Sequence, residues 1–326
     1  MTIGISETAE LCQKVLNEVG RAVVGKRSGL EKIMATFLAG GHVLVEDYPG
    51  LGKTLIARSF ATALGLDFKR IQFTPDLLPA DITGGYIYNR SADQFELRRG
   101  PVFANILLAD EINRGSPKTQ SALLEAMQEN QVTLEGETLP LPQPFLVIAT
   151  QNPIEYEGTF PLPEAQLDRF LIKLNLGYPD QKEEREILAR RRERRQDEIR
   201  LTQVIDAAAL LEMRKVVEEV HIEPDLEAYI VALVAETRAD RRVAVGGSPR
   251  ASLALLKLAR AQAVMDQRDY VLPDDIQAYI QPVLIHRLIL QPEYWMKGRV
   301  TEDVIETVLH TVPVPVFNNA PKNPEQ

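Results

Sequence analysis

The stretch VEDYPGLGKT, residues 45–54, places Gly50, Gly52, Lys53 and Thr54 in the order of a phosphate-binding loop. Two glycines let backbone N–H groups close around phosphate oxygens, with Pro49 and Leu51 completing the turn. Lys53 then reaches the β and γ phosphates of a nucleotide such as ATP, and the Thr54 hydroxyl is a ligand for Mg²⁺. The pattern GxxxxGK[ST] is broken only at its first glycine, where this chain carries Asp47. Asp47 stands where the loop leaves the preceding strand, outside the tight part of the turn. If that position needs positive φ, aspartate is among the non-glycine residues that tolerate it best.

Two further stretches supply the remaining chemistry of phosphoryl transfer. ILLADE, residues 106–111, is an apolar strand ending in two acids, the form of a Walker B element. Asp110 would hold the metal and Glu111 would polarise the attacking water. VIATQNP places Asn152 just past another apolar strand, where its amide could orient that water; an asparagine before proline is also an ordinary turn residue.

These groups require a scaffold that brings strand ends together. Residues 41–46 read as a strand and KTLIARSFATAL as a helix with apolar positions at 55, 56, 60, 63 and 64, so Leu55 opens the helix that the loop feeds. Up to about residue 178, further short apolar runs (68–73, 105–110, 145–150, 170–176) alternate with helical patterns. Near-continuous β-branched and leucine runs suit strands covered on both faces of a parallel sheet, which argues an α/β domain over 1–178. From 179 to 312 helical periodicity dominates and predicts an all-helical second domain. The tail 313–326, rich in Pro and Asn, reads as extended or disordered.

Composition narrows the partners. Lys and Arg total 37 against 46 Asp and Glu, a formal charge of −9, so no overall positive field attracts nucleic acid or anionic membrane. The run RRRERR at 190–195 is interleaved with glutamates and lacks aromatic stacking residues, which favours a solvated mixed-charge helix over a nucleic-acid site. One cysteine, Cys12, excludes an internal disulfide and falls on an amphipathic helix that buries it. The four histidines show no metal-ligand spacing. The amino terminus lacks the pattern of a secretory signal and no apolar stretch is long enough to span a membrane, so the expected compartment is the cytoplasm.

In order and spacing, EDYPGLGKT, LLADEINR, VIATQNPIEYEGTFPLPEAQLDRF and GGSPRASLALL resemble the MoxR family of AAA+ ATPases across nearly the whole chain. An acid at the position of Asp47 is common in that family. The resemblance implies a P-loop core with a five-stranded parallel sheet, a small helical lid, and ATP bound at their junction. It implies assembly as a homo-oligomer, a six-membered ring, with each site at the edge of a neighbouring subunit. It also implies that Arg169, in LDRF, is an arginine finger given to the adjacent subunit and that Arg250, in GSPRA, is a lid residue contacting the γ-phosphate. From the residues alone, Arg169 could simply pair with Asp168, and Arg250 could be a solvated first-turn residue.

Two insertions also match the family: a hairpin from Tyr86 to Leu97, placed by the resemblance within the second core helix, and another around Gly136. Such hairpins face the central channel or a client in related rings; surface decoration is the other reading. The family implies an ATP-driven, chaperone-like machine that remodels or matures protein complexes, often with a partner carrying a von Willebrand factor A domain. A nucleic-acid motor or loader and an ATP-switched binding module with little turnover are the competing readings. The acidic charge disfavours the former, and retention of Glu111 and Arg169 weighs against the latter.

Overall fold

The computed structural model describes residues 3–153, 158–295 and 297–315. Two helices, α1 (Ile5–Ala22) and α2 (Arg27–Leu38), precede β1 (Val43–Glu46), α3 (Lys53–Ala63) and β2 (Phe68–Gln72). A short α4 (Pro79–Thr83) leads into a hairpin of β3 (Gly84–Asn89) and β4 (Gln94–Arg99), followed by β5 (Ile106–Asp110) and α5 (Pro117–Glu129). A second hairpin, β6 (Gln131–Leu134) with β7 (Glu137–Pro140), precedes β8 (Leu146–Gln151), α6 (Glu164–Leu167) and β9 (Ile172–Leu174). The chain then continues through α7 (Gln181–Arg194), α8 (Ala207–Glu218), α9 (Pro224–Ala239), β10 (Val243–Val245), α10 (Pro249–Met265), α11 (Pro273–Leu284), β11 (Ile289–Leu290) and α12 (Val300–Thr311).

The five expected strands form one sheet in the order β2-β5-β8-β1-β9, every pair parallel. Period-two alternation divides their side chains between two cores. Val43, Val45, Ile106, Leu108, Leu146, Ile148, Ile172 and Leu174 join α1, α2 and α3 on one side, whereas Leu44, Leu107, Ala109, Val147 and Ala149 meet Leu123 and Met127 of α5 on the other. Because helices cover both faces, β5 and the first five residues of β8 are wholly buried. The edge strand β2 buries Ile71 but exposes Lys69, Arg70 and Gln72. Local signals set the helix starts: the Ser116 hydroxyl accepts the Thr119 N–H, and Pro117 occupies the first helical position.

Three expectations change in detail. The second region is not all-helical: β10 and β11 pair antiparallel, so Val243 lies opposite Leu290. This two-stranded ribbon is too short and irregular to give a strand period in sequence. The first hairpin runs from Gly84 to Arg99, two residues beyond each expected end. It follows the five-residue α4, and the chain after it forms turns before β5, so no helix resumes beyond the insertion. The crossing at Gly84 permits no side chain, because a Cβ there would come within 2.1 Å of the Arg98 carbonyl oxygen and φ is +84°. Of the expected tail, residues 316–326 lie outside the described residues.

Cys12 is fully buried in α1, and burial pushes its thiol up to about 12, which makes it an inert core residue. Among the described residues no helix is long and apolar enough to cross a membrane. The arginine run lies on the exposed, mixed-charge α7, where Arg190 pairs with Glu186 and Arg191 with Asp197.

His42 is buried against the sheet, where Nδ1 accepts the Val147 N–H at 3.0 Å and Nε2 lies 3.2 Å from the Met127 carbonyl oxygen. That environment selects the neutral ring with its proton on Nε2. Burial lowers its pKa from 6.5 to about 4. The unfolded chain therefore binds the extra proton first, so stability is full above about pH 6.5 and falls as pH drops toward 4, by on the order of 3 kcal/mol for this group. His286, whose pKa burial also lowers, acts in the same direction. Urea unfolding at pH 7 and pH 5 should show lower stability at pH 5 and a smaller difference in His42→Gln; equal stability of the native sequence at both pH values would contradict this.

Candidate functional site

Parallel pairing brings the carboxyl ends of β1, β5 and β8 to one edge of the sheet, and a cleft of about 460 Å³ opens there. Its walls include the loop from Pro49 to Leu55, Asp110 and Glu111 after β5, and Asn152 after β8. Ten of the thirteen candidate residues therefore converge on one space: Pro49, Gly50, Leu51, Gly52, Lys53, Thr54, Leu55, Asp110, Glu111 and Asn152. A wider recess of about 710 Å³ beside Arg21, Arg190 and Arg194 is more open and contains neither the loop nor the strand-end acids.

The loop has the backbone its sequence calls for. Gly50 and Gly52 take φ of +85° and +81°, and a Cβ on either would meet nothing within 4 Å. The left-handed backbone, rather than crowding by protein, requires glycine at both positions. Gly52 caps α3, so the positive end of the helix dipole opens on the cleft beside Lys53. The Lys53 ammonium donates to the main-chain carbonyl of Asp47 at 2.7 Å, which holds its charge over the loop.

The acids are held by a fixed network. Thr150, fully buried on β8, donates its hydroxyl to Asp110 Oδ1 at 2.6 Å and accepts the Glu111 N–H at 2.8 Å, tying the ends of β5 and β8 together. Asp110 Oδ2 accepts two bonds from Arg70, at 3.1 Å from Nε and 2.7 Å from Nη2. Glu111 has φ of +53°, a strained conformation for a non-glycine residue. Its Oε2 accepts from Gln72 at 2.7 Å and from Arg114 at 3.0 Å. The side-chain donors at the cleft suited to a hard cation are oxygens, those of Asp110 and Thr54. Among the described residues no group of three His, Cys, Asp or Glu could hold a metal ion. Such a sparse oxygen set suits a Mg²⁺ that takes most of its ligands from phosphate and water.

Arg70, Gln72, Arg114 and Thr150 were not anticipated from sequence. The polar residues at alternate positions of FKRIQF were the available signal for the first two, since Arg70 and Gln72 share one face of β2 and that face points toward the acids.

Three candidates lie outside the cleft lining. Asp47 does not take positive φ; its carboxylate, 1% exposed at the residue level, accepts the N–H groups of Leu176 at 2.6 Å and Gly177 at 3.1 Å. It belongs to the loop through its carbonyl, while its carboxylate ties the loop to the segment leading from β9 to α7. Stacking of Tyr48 on Tyr178, with ring centroids 5.8 Å apart, reinforces that tie. Arg169 does not pair with Asp168: it turns back to donate to the Leu124 carbonyl at 2.7 Å. Arg250, in the first turn of α10, lies 3.5 Å from Asp168, whose other oxygen accepts from the buried Arg287 at 2.7 Å.

The model of the ATPase family associated with various cellular activities (AAA) matches residues 42–172, and that of the AAA lid domain matches residues 235–308. Over 311 residues the chain is 50% identical to the uncharacterised protein YeaC of Bacillus subtilis, covering 95% of this chain and 97% of that one. It is 44% identical over 328 residues to a Mycobacterium tuberculosis protein named Chaperone MoxR1, covering 98% of this chain and 86% of the relative. With Protein MoxR of Methylorubrum extorquens the identity is 32%, covering 91% and 93%. A crystal structure from Cytophaga hutchinsonii, of a protein provisionally called an ATPase, superposes with a TM-score of 0.89 at 43% identity, covering 96% of this chain and 97% of that one.

Replacing Asp47 tests the tie behind the loop. Asp47→Ala removes the acceptor of two main-chain N–H groups and should lower stability by about 1–3 kcal/mol in urea titrations, the cost of leaving such groups unmet. Unchanged stability would show that water replaces the carboxylate without loss.

Proposed function

This chain belongs to the MoxR family of AAA+ ATPases, and from that premise we propose that it hydrolyses Mg²⁺-bound ATP in the cleft, at the edge of a neighbouring subunit. The convergence of Lys53, Asp110, Glu111 and Asn152 on one space at the carboxyl edge of the sheet carries the reading. In it, the loop N–H groups and Lys53 bind the phosphates, and Thr54 and Asp110 hold Mg²⁺. Held there, the ion would supply positive charge against the phosphate oxygens. Glu111 takes a proton from the attacking water and Asn152 orients that water. The proposed nucleotide-binding core spans 1–178 and the lid 179–312.

Arg169 is proposed as the finger supplied to the next subunit. Its place outside the cleft of its own chain favours a role in trans, and an arginine finger is worth about 10³–10⁵ in rate in related phosphoryl transfers. Arg250 is proposed to reach the γ-phosphate by movement of the lid, exchanging Asp168 for phosphate. The assembly we infer is a homo-oligomeric ring of six subunits in the cytoplasm. It would use ATP to remodel or mature client protein complexes, with a partner carrying a von Willebrand factor A domain. The net charge of −9 favours protein clients over nucleic acid.

Glu111→Gln should bind ATP with near-native affinity while phosphate release falls about 10²–10⁴-fold, the usual contribution of a general base. A steady-state phosphate assay beside filter binding decides it, and normal turnover in this variant would remove Glu111 from the mechanism. Turnover per subunit of the native chain should also fall on dilution below the assembly range; constant turnover down to monomer would refute a shared site.

A further inference from the structure

Arg70 is the cation that contacts Asp110, the proposed metal ligand, and the proposed mechanism leaves it without a task. Its guanidinium places two N–H groups on Asp110 Oδ2, and the same Nη2 donates to Gln72 Oε1 at 2.9 Å. Gln72 in turn passes its Nε2 to Glu111 Oε2. One unbroken chain of hydrogen bonds thus runs from the proposed metal ligand to the proposed base. Oδ1 of Asp110 is held by the Thr150 hydroxyl, so Oδ2 is the oxygen that an incoming cation must contest.

We propose that Arg70 is a positioning residue that competes with the divalent cation for Asp110 Oδ2 and couples arrival of the cation to release of Glu111. The proposal rests on the nucleotide reading of the cleft. The two partners differ in freedom: the Arg70 side chain is 46% exposed, whereas that of Asp110 is 12% exposed. A half-exposed guanidinium can move into water at little cost, while the buried carboxylate stays where Thr150 fixes it. The exchange therefore moves the arginine. A doubly charged ion set against both Asp110 and phosphate outcompetes a single guanidinium that water stabilises almost as well. Once Arg70 leaves, Gln72 loses the bond that orients its amide and so holds Glu111 less firmly, while Arg114 stays bonded to it. The acid is then freer to turn toward the water it activates, and it does so only when the metal that accompanies the nucleotide is in place.

The competition is read by titrating Mg²⁺ against binding of a fluorescent ATP analogue, in the full-length chain and in Arg70→Gln and Arg70→Lys, with thermal melting to confirm folding. Arg70→Gln should reach half-saturation at Mg²⁺ concentrations on the order of 3- to 10-fold lower than the native chain, the size expected for a partly exposed charged pair. Arg70→Lys, which keeps the charge but not the two-pronged contact, should fall between them. An unchanged or higher Mg²⁺ requirement in Arg70→Gln would overturn the proposal. So would an equal loss of analogue affinity with Mg²⁺ and with EDTA, which would make Arg70 a phosphate ligand instead. If the native chain binds no nucleotide, the reading of the cleft itself fails, and that result is distinct from a shift that does not appear.

Discussion

Parallel pairing of five strands is the constraint on which the rest of the site depends. Because every strand runs the same way, every carboxyl end lies on one edge, and residues far apart in sequence meet there without any loop having to carry them. Asp110 and Glu111 leave β5, Asn152 leaves β8, and the glycine loop before α3 leaves β1, with β8 between β5 and β1 in the sheet. A slip in register would mismatch the packed side chains on both faces and draw the polar strand ends, Asp110 and Gln151, into apolar surroundings, so the strand ends are fixed relative to one another. Thr150 adds a local lock, since its single hydroxyl serves both Asp110 and the Glu111 N–H.

The second half of the chain is tied down at both ends of β9. Asp47 accepts the two N–H groups at the exit from β9, and at its entry the buried Arg287, next to His286 in sequence, donates to Asp168 and to the carbonyls of Phe170 and Leu171. Burial lowers the pKa of Arg287, opposed by its bond to Asp168, and that ion pair is satisfied on several sides rather than left alone in the core. One apolar cluster runs from α1 through α10 and α11, so the helical half packs onto the sheet domain as part of the same core. Asp168 accepts from both Arg287 and Arg250. A change at Arg250 is thereby mechanically close to the junction that sets the position of α10 and α11.

Much of this was legible in the sequence because the decisive signals were local. GxGKT between an apolar run and a helical pattern, and two acids closing a buried strand, each express in a few residues a requirement of the backbone or of the phosphate chemistry. All five strands of the sheet followed from short apolar runs, and the chain's membership in the MoxR family followed from motif order. What escaped was whatever depends on pairing across strands. Arg70 and Gln72 sit on the exposed face of an edge strand and look like solvated residues until β2 is laid beside β5. The buried partner of Asp168, Arg287, lies more than a hundred residues away, and the carboxylate of Asp47 answers N–H groups of Leu176 and Gly177 that no local pattern links to the glycine loop. The β10 and β11 ribbon was too short to register against the helical period around it.

The central claim is that one subunit holds the nucleotide while its neighbour supplies Arg169. Mixing two inactive chains tests it most directly. On the proposed reading, Lys53→Ala fails to hold the phosphates but keeps its finger, and Arg169→Ala holds them but lacks the finger. Combined in equal amounts and allowed to exchange subunits, they should recover about a quarter of native ATPase activity, since about one interface in four then joins an intact cleft to an intact finger. A mixture as inactive as its two components would contradict the shared site.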